Sequence, residues 1–419
     1  MYARSSQIGG LGLKVAGIIV EYNPFHKGHE YHIAETRRVT GADFVVAVMS
    51  GDFTERGIPA CFDKFTRAEC ALACGADAVL ELPFCYATGS AEYFATGAVS
   101  VLDKLGCVDS LCFGTESNAD SSLYLDTAAF LCEEPVAYQT ALKTGLKEGK
   151  TFPKARLDAA KGFLSEEALS LLSTPNALLG LEYCKALLRK NSNITPYAIN
   201  RIGAGYHDET TCTDGFSSAT ALRALLAREG CFSDAFLSEL PAPAADILRS
   251  KPYTPLFAED FFSLYRTALD LRKDALTTFA DVSTELAARL SSRIAPCNYE
   301  AFLEQIKTKQ YTRTRIERCL LHILFGLQTE ALERFRSDDI SYARILGFRE
   351  SAAPLLRHLK KTATLPLLTK LAQKDKRCTA AENELLSYDI AAADLYNRVV
   401  FQKYGVLLPD EFSYIITNA

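Results

Sequence analysis

The sequence predicts an α/β protein, a Rossmann-like doubly wound parallel sheet followed by a mainly helical C-terminal region. Three observations predict it. Short apolar, β-branched runs alternate with helical patterns from Lys14 to about Glu116. These runs are apolar at successive positions, the mark of strands buried on both faces in a parallel sheet covered by helices. Beyond about residue 240 helical spacing replaces the strand signal.

The first strand is "KVAGIIVEY", ended by the Asn23-Pro24 break, after which a helical pattern runs to about Arg38. "DFVVAVMS" is the second strand, "FTRAECALAC" a helix, "ADAVLELP" the third strand, "SAEYFATGAVSVLDKLG" a helix and "VDSLCFGTE" the fourth strand. The next hundred residues lean helical, as in "NALLGLEYCKALLRK". They return to a strand in "ITPYAINRIG" and close with "GFSSATALRALLAREG", a serine-capped helix ended by Gly230. Prolines in "CFSDAFLSELPAPAAD" mark a boundary. The expected organisation is a loose extension over 1–12, a Rossmann-like domain over 13–235 and a mainly helical domain over 236–419. The tail "LYNRVVFQKYGVLLPDEFSYIITN" could add a strand or two to the last of these.

Composition excludes several classes. The 419 residues are 48% apolar and 23% charged, ordinary globular material with room for two or three domains. No uncharged apolar stretch is long enough to span a membrane, and the amino terminus lacks a secretory core, so a cytoplasmic location is expected. The 13 cysteines are scattered, with no C-x-x-C, which signals neither a disulfide framework nor a structural metal. The net charge of −5 does not advertise a nucleic-acid binder, and residues 1–230 carry the acidic excess; any RNA contact must be a local patch.

In "GIIVEYNPFHKGHEYHI" stand three of the six histidines, His26, His29 and His32, where the first strand gives way to its helix. Zinc would need ligands on one face, whereas positions i, i+3 and i+6 drift around a helix and Pro24 places His26 outside it. A helix start instead offers unpaired N–H groups and a positive dipole end, and imidazoles there add donors to a phosphate pocket. Gly28 between the histidines would let a nucleotide approach closely. In "FSSATALR", Ser218 and Thr220 open a second helix with Arg223 behind them, a pattern that by itself fits a common serine cap and a solvated arginine. The loop "MSGDFTERGIPACFDKFTRAECAL", with Asp52, Arg56, Asp63 and Lys64, opens at the same sheet edge. "KTKQYTRTRIER" carries Lys307, Lys309, Arg313, Arg315 and Arg318 around Tyr311, a pattern suited to RNA phosphates and an unstacked base; Arg344 and Arg349 are weaker candidates.

H-x-G-H after a buried strand resembles the nucleotidylyltransferase superfamily. The ordered set "GIIVEYNPFHKGHEYH", "VAVMSGDFTERGIPACFDKFTRA", "GADAVLELPF", "FGTES", "TPNALLGLEY", "SSATALR", "IKTKQYTRTRIER" and "RILGF", spread over almost the whole chain, resembles the bacterial tRNA(Met) cytidine acetate ligase family. The resemblance implies a nucleotidylyltransferase-type sheet and a two-step reaction. Acetate attacks the α-phosphate of ATP to give acetyl-adenylate, and N4 of the wobble cytidine of elongator tRNA(Met) then takes the acetyl group, leaving N4-acetylcytidine and AMP.

The same resemblance places the catalytic group at His26, Lys27 and His29. It places ATP contacts at Ile19, Val20, Glu21, Tyr22, Asn23, Pro24, Phe25, His26, Gly28, His29, His32, Gly114, Asn176, Arg201, Ser218, Thr220 and Arg223, with Mg2+ accompanying the nucleotide, and tRNA contacts in 236–419. Two positions depart from the family: Ala177, where it often has a second asparagine, and Glu55, where it often has glutamine. A small-molecule adenylyltransferase or carboxylate-activating ligase of the same superfamily, and a catalytically silent RNA-binding protein, are the alternatives.

Overall fold

A computed structural model describes residues 12–201, 216–292, 298–337 and 339–418. Five strands follow the predicted order: β1 (Val15–Val20), β2 (Phe44–Ser50), β3 (Ala78–Leu82), β4 (Ser110–Thr115) and β5 (Thr195–Asn200). They pair in parallel as β5-β4-β1-β2-β3. β1 is buried along its full length, as a strand covered on both faces must be. The order reverses between β1 and β4, so the crevice for a ligand opens above the carboxyl ends of these two strands.

The sheet does not stop at β3. β6 (Ala343–Arg349) lies antiparallel beside β3, and β7 (Leu367–Leu368) and β8 (Ile416–Asn418) pair parallel with β6. The expectation that residues from about 240 to 380 are almost wholly helical therefore missed a central strand. "ARILGF" is short and contains an arginine, which reads as a polar break rather than a buried strand. Of the tail, Ala380–Tyr404 is one long helix, and only Ile416–Asn418 is strand. Residues 236–419 are mainly helical, yet their strands complete the sheet begun by the amino-terminal half.

Three buried cations, Arg67, Lys64 and Arg344, hold strands and loops in register. Arg67 donates to the carbonyls of Glu21, Ser50, Gly51 and Phe62, tying the exits of β1 and β2 together below the crevice. Lys64 lies 2.7 Å from both Glu81 of β3 and Glu411 of the tail, and Arg344 of β6 reaches the same two carboxylates. Arg344, expected as an RNA contact, is fully buried in this cluster and cannot meet RNA.

Candidate active site

The helix Lys27–Thr40 begins in a reciprocal cap built from the histidine motif. His26 is the N-cap residue: its Nδ1 accepts the N–H of Gly28 at 3.1 Å, while Nδ1 of His29 accepts the N–H of His26 at 3.3 Å. A neutral imidazole whose Nδ1 accepts must carry its proton on Nε2. Each ring is thus held as an Nε2–H donor, and the two rings lie 3.8 Å apart. Tyr22, at a positive φ of 52°, sets its ring 4.9 Å from His29 and supports it from below.

Gly28 has a role the sequence did not reveal. A Cβ there would come within 2.8 Å of Cε1 and 3.1 Å of Nδ1 of His26, so the glycine makes room for the imidazole before any ligand arrives. Gly28→Ala is expected to displace that ring and lower the rate of any reaction that uses it about 100-fold, the cost of a shift near 1 Å in a reacting site. A turnover assay measures it; a wild-type rate would show that the ring's seat is unimportant. A Cβ at Gly114 would meet only the Arg201 side chain, Cγ at 3.5 Å and Cδ at 3.9 Å, which is ordinary contact, and Gly114 lines the cleft.

The second helix start faces the first. Ser218 caps Ala219–Glu229, its Oγ accepting the N–H of Ala221 at 3.0 Å. Arg223, one turn on, donates to Thr220 Oγ1 at 3.0 Å and to the carbonyl of Asn23 at 2.7 Å, bridging this helix to the turn after β1. Arg201 follows β5, and its N–H extends the ladder to Thr115 of β4. Between them opens a cleft of about 370 Å³.

All the expected nucleotide contacts line this cleft except Pro24 and Phe25, which are buried beneath it. Lys27 is also absent from the lining. Its side chain is exposed, and its ammonium donates to the carbonyl of Ser238 at 2.6 Å. The structure therefore does not place Lys27, expected to be catalytic, among the residues that line the cleft with His26 and His29. His32 does line the cleft, and its Nε2 is buried without a hydrogen-bond partner. Asn176 donates to Glu116, whose other oxygen accepts the N–H of Ala177 at 3.3 Å, so Glu116 caps this helix and Asn176 does not.

Sequence reasoning missed an apolar wall formed by Phe94, Phe113, Leu179 and Tyr183, flat surface suited to a base. It is legible only once β4 and the helix Pro175–Arg189 are known to be neighbours. Thr54, Glu55, Arg56 and Ile58 bring the loop after β2 to the opposite side. Burial pushes the Glu55 carboxyl up to about 7 against the pull of nearby Arg318, with Glu21 adding to the rise. Near neutral pH this residue therefore exchanges readily between a carboxylate facing Arg318 and a protonated form that resembles the glutamine the family resemblance anticipates.

Electrostatically the cleft is a site for an anion. Burial, then Arg201 and Arg223, lowers His26 to about 3; burial and Arg201 lower His32 to about 4; and His29 is held well below the usual histidine range by burial and by its neighbours His26 and Arg201. At neutral pH all three rings are uncharged donors or acceptors beside two permanent cations.

The segment expected to grip RNA is largely self-paired. Arg313 holds Glu300 through two bonds of 2.6 Å and Glu317 through one of 2.9 Å; Lys307 pairs with Glu304, and Arg318 with Glu55. Tyr311 is buried, its hydroxyl 2.8 Å from Ser283 and its ring covered by Arg315, so it offers no face to a base. The aromatic of the motif serves packing. Lys309 is exposed, and Arg349 lies in β6, its N–H bonded to the carbonyl of Asp77.

A parallel sheet with paired histidines at the exit of its first strand, facing a serine-capped helix across the switch point, defines a nucleotidyl-transfer site. In agreement, a family model described as HIGH Nucleotidyl Transferase matches residues 13–406. The chain is 40% identical to a tRNA(Met) cytidine acetate ligase of Acetivibrio thermocellus, over 92% of this chain and 94% of that one, and 37% identical to its counterpart from Clostridium tetani, over 92% and 95%. The apo crystal structure of Thermotoga maritima TmcAL superposes with a TM-score of 0.90 at 34% identity, covering 97% of this chain and 100% of that one. The form bound with alpha-thio ATP gives 0.84 at 35%, covering 93% and 95%. The chain belongs to the tRNA(Met) cytidine acetate ligase family.

Proposed function

We propose that this protein is an ATP-dependent tRNA acetate ligase that activates acetate as acetyl-adenylate and transfers the acetyl group to N4 of the wobble cytidine of elongator tRNA(Met). The observation that carries this is the convergence of His26, His29, Arg201 and Arg223 on one cleft at the switch point. In the first step an acetate oxygen bonds to the α-phosphorus and pyrophosphate leaves. Substitution at phosphorus asks the protein mainly to position the reactants and offset charge, which two Nε2–H donors and two guanidinium groups are suited to do.

The apolar wall would take the adenine, and Ser218, Thr220 and Arg223 the distal phosphates. Mg2+ would accompany the triphosphate as the nucleotide's counterion. In the second step N4 bonds to the acetyl carbon, the bond from that carbon to the phosphate oxygen breaks, and AMP departs. Family membership with named tRNA(Met) cytidine acetate ligases supports RNA as the acceptor. No helix among the described residues is long and apolar enough to cross a membrane.

The test is to incubate the protein with ATP and labelled acetate, with and without elongator tRNA(Met). Pyrophosphate release and label on N4 of the wobble cytidine are expected. Acetyl-adenylate formed without acetylated RNA would leave a small-molecule ligase, and absence of ATP turnover would leave an RNA-binding protein.

A further inference from the structure

The segment from Pro135 to Phe163, between β4 and β5, carries Lys143, Lys147, Lys150, Lys154, Arg156 and Lys161 against only Glu148 and Asp158, in a chain of net charge −5. Two helices present it, Val136–Lys147 and Phe152–Ala160. Asp158 stands among three ammonium groups, at 3.4 Å from Lys150 and 3.2 Å from both Lys154 and Lys161. Glu148, 3.2 Å from Lys150, is the only other carboxylate of the segment, so two acids face its six cations. Lys143 and Lys147, exposed and one turn apart, make no ion pair among the described residues, an arrangement that by itself destabilises a helix. Arg156 is buried beside the ring of Phe152, and its Nε has no hydrogen-bond partner. Phe152 and Phe163 are 54% and 46% exposed, flat rings set among these cations.

This surface is mechanically continuous with the cleft. The helix Ser121–Glu133 packs along Pro175–Arg189, which supplies Asn176, Leu179 and Tyr183 to the cleft wall. Phe130 of the first of these helices meets Tyr138 at 5.2 Å and Phe163 at 5.7 Å. The basic helices therefore sit one layer outside the proposed nucleotide site. Lys307, Arg313 and Arg318, unlike Lys143 and Lys147, already have carboxylate partners.

We propose that the 136–163 helices are a docking surface for the RNA backbone, their lysines taking tRNA phosphates and Phe152 and Phe163 an unpaired base, while the acceptor nucleotide enters the cleft. This rests on the function proposed above. Unpaired surface cations beside exposed aromatic rings are what a polyanion with nucleobases requires, and RNA binding through them releases counterions.

The test measures binding of elongator tRNA(Met) to the full-length protein across a salt series, beside the tRNA-independent release of pyrophosphate from ATP and acetate. K143E/K147E is expected to weaken RNA binding about tenfold or more and to flatten the slope of log K against log salt by about 2, while pyrophosphate release stays near wild type. K143R/K147R keeps both affinity and slope, and F152A/F163A weakens binding with the slope unchanged. Wild-type affinity and slope in K143E/K147E would overturn the proposal, as would an equal loss of pyrophosphate release. Wild-type protein that activates acetate but binds no tRNA would overturn it together with the assignment of RNA as acceptor.

Discussion

His29→Ala is expected to lower adenylate formation by about 100- to 1,000-fold while leaving tRNA affinity near wild type. The ring's Nε2–H is one of the few donors fixed at the proposed α-phosphate position, and removing one such preorganised donor costs about 2.7–4 kcal/mol of transition-state stabilisation. The substitution also strips the His26 N–H of its acceptor, a capping loss of about 1 kcal/mol. The protein should therefore melt slightly earlier yet remain folded. Pyrophosphate release, tRNA binding and thermal unfolding measured on one preparation separate these effects. Parallel losses of catalysis and RNA affinity would contradict the division of labour between cleft and basic surface.

The same imidazoles give this site a pH signature. Burial and the nearby guanidinium groups lower His26 to about 3 and His32 to about 4, so both are neutral at pH 7. Bound triphosphate offsets Arg201 and Arg223, which contribute to that lowering, and raises the histidine values. ATP binding then takes up protons near those raised histidine values, and affinity rises as pH falls through them. Stability of the free protein moves the other way. An unfolded histidine takes a proton near 6.5 and the buried one does not, so between 6.5 and about 3 His26 alone withdraws about 1.4 kcal/mol per pH unit. Calorimetry in buffers of different ionisation enthalpy reads the uptake directly.

What was legible in the sequence follows from how local its physical cause is. β1 to β4 were legible because each is an apolar run buried on both faces, and the histidine site because strand end and helix start adjoin within a few residues. β6 was not, since its place beside β3 depends on Arg344 meeting carboxylates from Glu81 and Glu411, far away in sequence. Tyr311 misled for the same reason: a basic-aromatic string looks like an RNA grip until Glu300, Glu304 and Ser283 are known to face it. The Lys143–Lys161 surface was overlooked because its cations are spread over two helices and stand out only when their exposure is seen.

Arg344→Met is expected to destabilise the protein by about 3–5 kcal/mol, the usual cost of leaving a buried charge without its partner. Arg344 and Lys64 are 2% and 1% exposed and together face Glu81 and Glu411. Burial pushes nearby Asp52 up to about 7, so two cations and two carboxylates balance when Asp52 keeps its proton. Removing Arg344 leaves two carboxylates sharing one ammonium where water cannot compensate. The damage should reach the cleft, because the Lys64 N–H holds Asp52 at 2.7 Å at the base of the loop that presents Thr54 and Glu55. Denaturant unfolding should show the loss, and R344M/E411L, which removes one charge of each sign, should recover much of it. A single variant as stable as wild type would mean that the carboxylates are neutral in the native protein and that packing, not charge pairing, joins β6 to β3.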